Sequence, residues 1–148
     1  MKKALLLAAF IVACGPKEEP AVDTAATAAP PGLTAADLTG TFTGTSWIEG
    51  TDSVASRFTL ISTDGVNGKF IEEGQKDTVT FTSVIDGDSA VATSAPYTDQ
   101  MLPNKPQVTF RSVARKQGDK IAGTAALMLV SKPDSVVGRV RWEATKSP

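Results

Sequence analysis

The chain has no histidine among its 148 residues. That absence removes Ser-His and Cys-His catalysis, His-ligated zinc and imidazole-based pH switching. Only one cysteine is present, Cys14, so no disulfide can staple the chain internally. After the N-terminal apolar run, no second stretch approaches a membrane span. Helical periodicity is also missing, beyond a short turn at 34–38. Carboxylates are the catalytic groups that remain, and the sequence selects no pair. Glu72 and Glu73 are adjacent, so on a strand they point to opposite faces. Asp86-Gly87-Asp88 offers two ligands in a tight turn, short of the six to eight oxygens calcium takes. A hairpin turn accounts for it. Ser131-Lys132 stands in no motif, and the glycine turns lack the strand-to-helix setting of a phosphate loop. Neither an enzyme, a metal nor a cofactor is expected.

What is present begins at the N-terminus. Met1-Lys2-Lys3 is a basic head, residues 4–12 are apolar, and Ile11-Val12-Ala13-Cys14 ends the run. The run is too short to cross a hydrocarbon core of about 30 Å as a helix. It has the length of the apolar region of an export signal. Together these residues resemble the lipobox signal peptide of a bacterial lipoprotein. The resemblance implies a signal peptide at 1–13, cleavage before Cys14, and lipidation of Cys14. An ordinary secretory signal with an unrelated cysteine is the alternative. Stable anchoring then needs more than one acyl chain, because one chain at about 0.8 kcal/mol per methylene binds only marginally. Gly15 follows the cysteine where an Asp would favour inner-membrane retention. The expected location is therefore the cell envelope, lipid-anchored, at the outer membrane facing the periplasm.

Residues 14–36 are rich in Ala, Pro, Thr and charge, contain no aromatic residue, and read as a disordered tether. Residues 37–148 form one domain, long enough for a single core. Charge is unevenly spread along it. From Cys14 to Asn104 there are four basic and thirteen acidic residues; from Lys105 to Pro148 there are nine basic and three acidic. Either the basic segment forms a face for an anionic partner, such as lipid headgroups or a cell-wall polymer, or the two halves pair across strands. No interleaving of basic and aromatic residues suggests nucleic acid.

The texture of the domain is β. Runs rich in Thr, Val, Phe and Ile occupy 38–49, 56–63, 66–72, 78–86, 89–94, 107–117, 120–131 and 136–145. Between them lie Glu49-Gly50, Asp64-Gly65, Glu73-Gly74, Asp86-Gly87 and Gly118-Asp119, which suit tight hairpins. Several runs alternate. Val79, Phe81 and Ser83 oppose Thr78, Thr80 and Thr82. Val108, Phe110, Ser112 and Ala114 oppose Arg111, Val113 and Arg115. Val140, Trp142 and Ala144 oppose Arg139, Arg141 and Glu143. About eight hairpin-linked strands predict an all-β, small antiparallel up-and-down barrel, with a two-sheet β-sandwich as the alternative. Gly44, Gly68, Gly123 and Gly138 fall inside strand runs, where barrels place corners and bulges. Residues 121–130 (IAGTAALMLV) break the alternation. Their outer face is covered by a partner, by another copy or by the tether, or else this is a central strand packed on both sides or one whose small alanines are tolerated at the surface. Residues 95–106 hold three prolines and form the longest irregular stretch, read as a lid over a barrel mouth or a plug filling it.

Gly44-Thr45-Ser46-Trp47 on the first strand, with Arg139 and Arg141 on the last, resembles lipocalin-like barrels. That family has Gly-x-Trp on its first strand and packs the tryptophan against a basic residue from the end of the barrel. Here the spacing is Gly-x-x-Trp, which puts Gly44 and Trp47 on opposite faces. Residues 96–124 also resemble a group of short exported bacterial domains of unassigned function. Two functions are therefore expected to compete. One is a structural or interaction module of the envelope, meeting an envelope protein or anionic polymer. The other is a lipocalin-like carrier of a small apolar or amphipathic ligand, with room left by Ala122, Gly123, Ala125, Ala126 and Gly138. The candidate binding residues are Trp47, Tyr97, Met101, Leu102, Arg139 and Arg141.

Overall fold

Five of the turns carry a glycine in the left-handed region, where a side chain would be strained. Gly50, Gly65, Gly74, Gly87 and Gly118 have φ between 62° and 82°. These are the dipeptide turns expected from the sequence, and each reverses the chain between neighbouring strands. The computed structural model describes residues 32–148. The expected signal peptide, Cys14 and residues 15–31 of the expected tether lie outside the described residues.

The strands are β1 (Gly40–Ile48), β2 (Val54–Ser62), β3 (Asn67–Glu72), β4 (Thr78–Asp86), β5 (Ser89–Ser94), β6 (Tyr97–Thr98), β7 (Gln107–Gln117), β8 (Lys120–Leu129) and β9 (Lys132–Lys146). They form one sheet in the order β5-β4-β3-β2-β1-β9-β8-β7-β6, and β5 also pairs with β7. That last pairing closes an eight-strand antiparallel barrel and leaves the two-residue β6 as an extra strand on β7. A two-sheet sandwich is ruled out because both β1–β9 and β5–β7 are hydrogen-bonded. Three prolines argued against any ladder in 95–106, yet Tyr97 and Thr98 pair with Val108 and Gln107. None of those prolines occupies the paired positions.

The last strand starts earlier than its alternation suggested. Leu129 pairs with Lys132 and Met128 with Val136, so Pro133, Asp134 and Ser135 bulge out of the ladder. A proline, which lacks the N–H, is tolerated in such a bulge. The alternating faces of β4, β7 and β9 point as their sequence implied. Within β8, Ala125 and Leu127 face inward, while Ala122 and Ala126 lie outside, in register with Arg115 and Glu143 and with Arg111 and Arg139. The outer face of this strand therefore carries small side chains between charged neighbours.

One end of the barrel is plugged by helix α1 (Ala35–Leu38). Thr34 and Asp37 form a reciprocal capping box. Asp37 N–H donates to Thr34 Oγ1 at 3.4 Å, and Thr34 N–H donates to Asp37 Oδ2 at 3.0 Å. Leu33 is buried, and Leu38 packs against the core cluster of Phe42, Phe58, Ala114, Ile121 and Ala144. Lys116 on β7 forms an ion pair with Asp37. A Cβ on Gly65 would overlap the Ala35 backbone, so the plug and the β2–β3 turn meet backbone to backbone. Inside the wall, a Cβ on Gly44 or Gly68 would overlap the ring of Phe58 or Phe81. At these two strand positions glycine makes room for an aromatic ring.

Candidate functional site

An eight-strand barrel has an interior just wide enough to be filled by side chains or to hold one small ligand. Which occurs depends on the volumes that point inward. Here many inward positions are small: Ser46, Ser56, Ser83, Ala90, Ala92 and Ser112 all line the interior. They leave a cavity of about 180 Å³. Of the small residues expected to leave room, Ala125 does line it; Ala122 and Ala126 lie on the outer wall, and Gly123 and Gly138 are not among its lining.

The chain has six Phe, two Trp and one Tyr. Seven of these nine line the cavity: Phe42, Phe58, Phe70, Phe81, Tyr97, Phe110 and Trp142. The aromatics are few but concentrated. They meet in a continuous tilted and edge-to-face network. Trp142 lies 6.0 Å from Phe58, Phe58 lies 5.5 Å from Phe70, Phe70 lies 5.9 Å from Phe110, and Phe110 lies 6.4 Å from Tyr97. Such geometry is favoured by ring quadrupoles and fixes the wall. The indole of Trp142 is oriented by a hydrogen bond, Nε1–H donating to Ser112 Oγ at 2.9 Å. Ser112 in turn donates to the Thr124 carbonyl at 3.0 Å. The inward serines thus serve as internal partners as well as sources of space.

Opposite the plug, residues 95–106 fold over the other end. Tyr97, Asp99 and Met101 from this segment all line the cavity. Asp99 shapes the segment: its Oδ1 accepts from the Met101 and Leu102 amides at 2.7 and 3.0 Å. Lys105 N–H then donates to the Leu102 carbonyl at 3.1 Å, closing a turn over Pro103 and Asn104. Asn104 and Lys105 both have positive φ, at 63° and 43°. Non-glycine residues adopt that region at some cost in strain. The lid reading and the plug reading of this segment share one geometry, since Tyr97 contributes wall while Met101 remains 59% exposed.

Among the described residues only two charged ones line the cavity, Glu72 and Asp99, and both are acidic. Glu72 ends β3 with the inward parity of Phe70, whereas Glu73 turns outward to Arg57. Burial pushes the Glu72 carboxyl up from its usual range; a hydrogen bond from the Ser56 side chain opposes the shift and the charge of Asp99 adds to it. Gln75 Nε2 donates to it, which opposes the shift. The Tyr97 hydroxyl is pushed up from its ordinary value by burial, then by Asp99 and Glu72. Glu72, Tyr97 and Asp99 therefore form one electrostatic unit at the lid end.

Comparison with protein families, with curated proteins and with solved structures finds no match. The site is therefore read from its own residues. Of the six candidates, Tyr97 and Met101 line the cavity. Leu102 is half-buried in the lid without lining it. Trp47, Arg139 and Arg141 lie on the outer wall. There Trp47 does pack on a basic residue, with the Arg141 guanidinium 4.5 Å from its ring centroid. The two are register partners on adjacent strands, so the contact is lateral and external. Arg141 also reaches Asp52 at 3.2 Å, and Arg139 reaches Glu49 at 4.0 Å. With Arg115–Asp88 and Lys116–Asp37, four ion pairs join the basic C-terminal segment to the acidic N-terminal one. The two segments thus pair in part, while Lys105, Arg111, Lys132 and Lys146 form no ion pair among the described residues. The sequence reading missed Glu72, Asp99 and Trp142. The inward parity of Glu72 with Phe70 was the available signal.

Proposed function

We propose that the chain is a lipid-anchored envelope protein whose barrel carries a small apolar or amphipathic molecule, in the manner of lipocalin-like barrels. The supporting observation is the aromatic-lined cavity of about 180 Å³. Apolar cavities near 150 Å³ stay dry and admit a benzene-sized guest. The lid segment gives a ligand one end at which to enter and leave. No catalytic step is assigned to the site, and anchoring through Cys14 would hold the carrier at the membrane.

Filling the cavity tests this reading. Ala125→Phe places a ring where the cavity now lies, and overpacking of that kind costs about 1–3 kcal/mol. Uptake of an apolar fluorescent probe should fall by about a hundredfold while the β circular dichroism persists. Unchanged uptake by a folded Ala125→Phe variant would rule the carrier out.

A second reading, a structural or interaction module, is favoured by one observation. Ile48, Val54, Met101, Val130 and Val136 are all exposed, and all lie at the lid end. Exposed apolar groups gathered on one rim suit an envelope protein as partner. An anionic polymer is less well served, because Arg139 and Arg141 are already paired. Reversing both arginines to Glu should leave probe uptake intact, and loss of a co-purifying partner in that variant would favour the module.

A further inference from the structure

Three outward-pointing carboxylates at the lid end are compensated. Glu49 has Arg139, Asp52 has Arg141, and Glu73 has Arg57. The two that face the cavity are not. Among the described residues, neither Glu72 nor Asp99 has a Lys or Arg within 4.0 Å. Their hydrogen-bond donors are neutral: the Ser56 and Gln75 side chains for Glu72, the Met101 and Leu102 amides for Asp99. A half-buried pair of like charges without a cation is costly, and the cost is relieved by a positive charge placed between them.

The rest of the cavity narrows the choice of that charge. Calcium takes six to eight oxygens, more than two carboxylates and their neutral neighbours supply. The wall below is aromatic, and aromatic faces attract ammonium groups while accepting apolar carbon. Among the described residues, no basic one lines the cavity to repel a cation or hold an anion.

We propose that the ligand of this barrel is a small organic amine, its ammonium held at the lid end by Glu72 and Asp99 and its apolar body lying among Trp142, Phe58, Phe70 and Phe110. The proposal rests on the carrier reading and specifies the chemistry of the guest. The cavity volume fits one ring or a short branched chain. Tyr97 keeps its phenolic proton and stands beside the carboxylates as a neutral neighbour of the ammonium. Asp99 joins the lid to the charged head, so occupancy and the lid turn share one residue.

Three probes of similar shape and different charge test it: 2-phenylethylamine, 2-phenylethanol and 3-phenylpropionate, with toluene as the apolar control. Each is titrated into the purified full-length chain, read by calorimetry and by Trp fluorescence. The amine should bind about tenfold or more tighter than the alcohol, and the carboxylate weakest. In Glu72→Gln, which keeps the shape and the Gln75 contact, the amine should lose that advantage while the alcohol is unchanged. Asp99→Asn should act in the same direction and serves if Glu72→Gln fails to fold. Equal binding of amine and alcohol, with toluene bound, would overturn the cationic head and leave the carrier reading intact. Failure of all four to bind would overturn both.

Discussion

At the plugged end the chain satisfies its polar groups. Asp37 is bound by Lys116 and Thr34, the short helix is capped at its start, and Leu33 and Leu38 close the core from below. At the lid end the arrangement is reversed. Two carboxylates face inward without cations, five apolar side chains face water, and two non-glycine residues hold left-handed backbone. The same eight strands support both ends, so the contrast comes from the segments that cover them. Left-handed non-glycine backbone and inward carboxylates thus gather at the end where a ligand would enter.

Substitutions can break or sharpen this contrast. The largest effect is expected from Phe58→Ala, in the cluster on which the plug packs. Removing a buried phenylalanine should cost about 3–5 kcal/mol in denaturant unfolding. A loss below about 1 kcal/mol would mean that the wall is not the centre of stability. Thr34→Ala removes the cap of α1 and should cost about 1 kcal/mol. At the other end Met101→Ala should change stability by less than about 0.5 kcal/mol, because that side chain is mostly exposed. Equal losses at Thr34 and Met101 would erase the distinction.

The two ends should also answer pH with opposite sign. Lys116, and then Thr34, hold the Asp37 carboxyl at about 2, below its ordinary 3.8. A lowered folded value means that this contribution is complete above about pH 4 and is lost as pH falls through 2. Asp37→Asn should therefore flatten the acid limb of a melting-temperature profile. Glu72 is raised instead, so the folded state favours its protonated form and ionisation costs stability as pH rises above the carboxylate range. Glu72→Gln should melt slightly higher than the parent at pH 7 and match it below pH 4. A variant that melts lower at pH 7 would show that Glu72 stabilises the fold.

The strands were legible because their information is local. The runs at 78–86, 89–94 and 107–117 have the same bounds as β4, β5 and β7, and the Asp-Gly turns lie where positive φ is needed. The start of β9 was not legible, since Pro133 looks like a stop and only the β8 ladder shows it to be a bulge. The site was harder still. A cavity is the difference between summed side-chain volumes and barrel width, and it draws on residues from Phe42 to Trp142. The meeting of Glu72 with Asp99 depends on the lid folding back over the mouth, which no single segment encodes. Trp47 drew attention as a motif residue on the first strand, while Trp142, on the last strand, is the tryptophan that faces the interior.

The most direct test of the carrier account is native mass spectrometry of the protein purified gently from the cells that make it. The account predicts a stoichiometric extra mass of a small molecule that leaves on denaturation, with the acylated Cys14 mass retained. A barrel recovered bare, or with a protein partner and no small molecule, would contradict it.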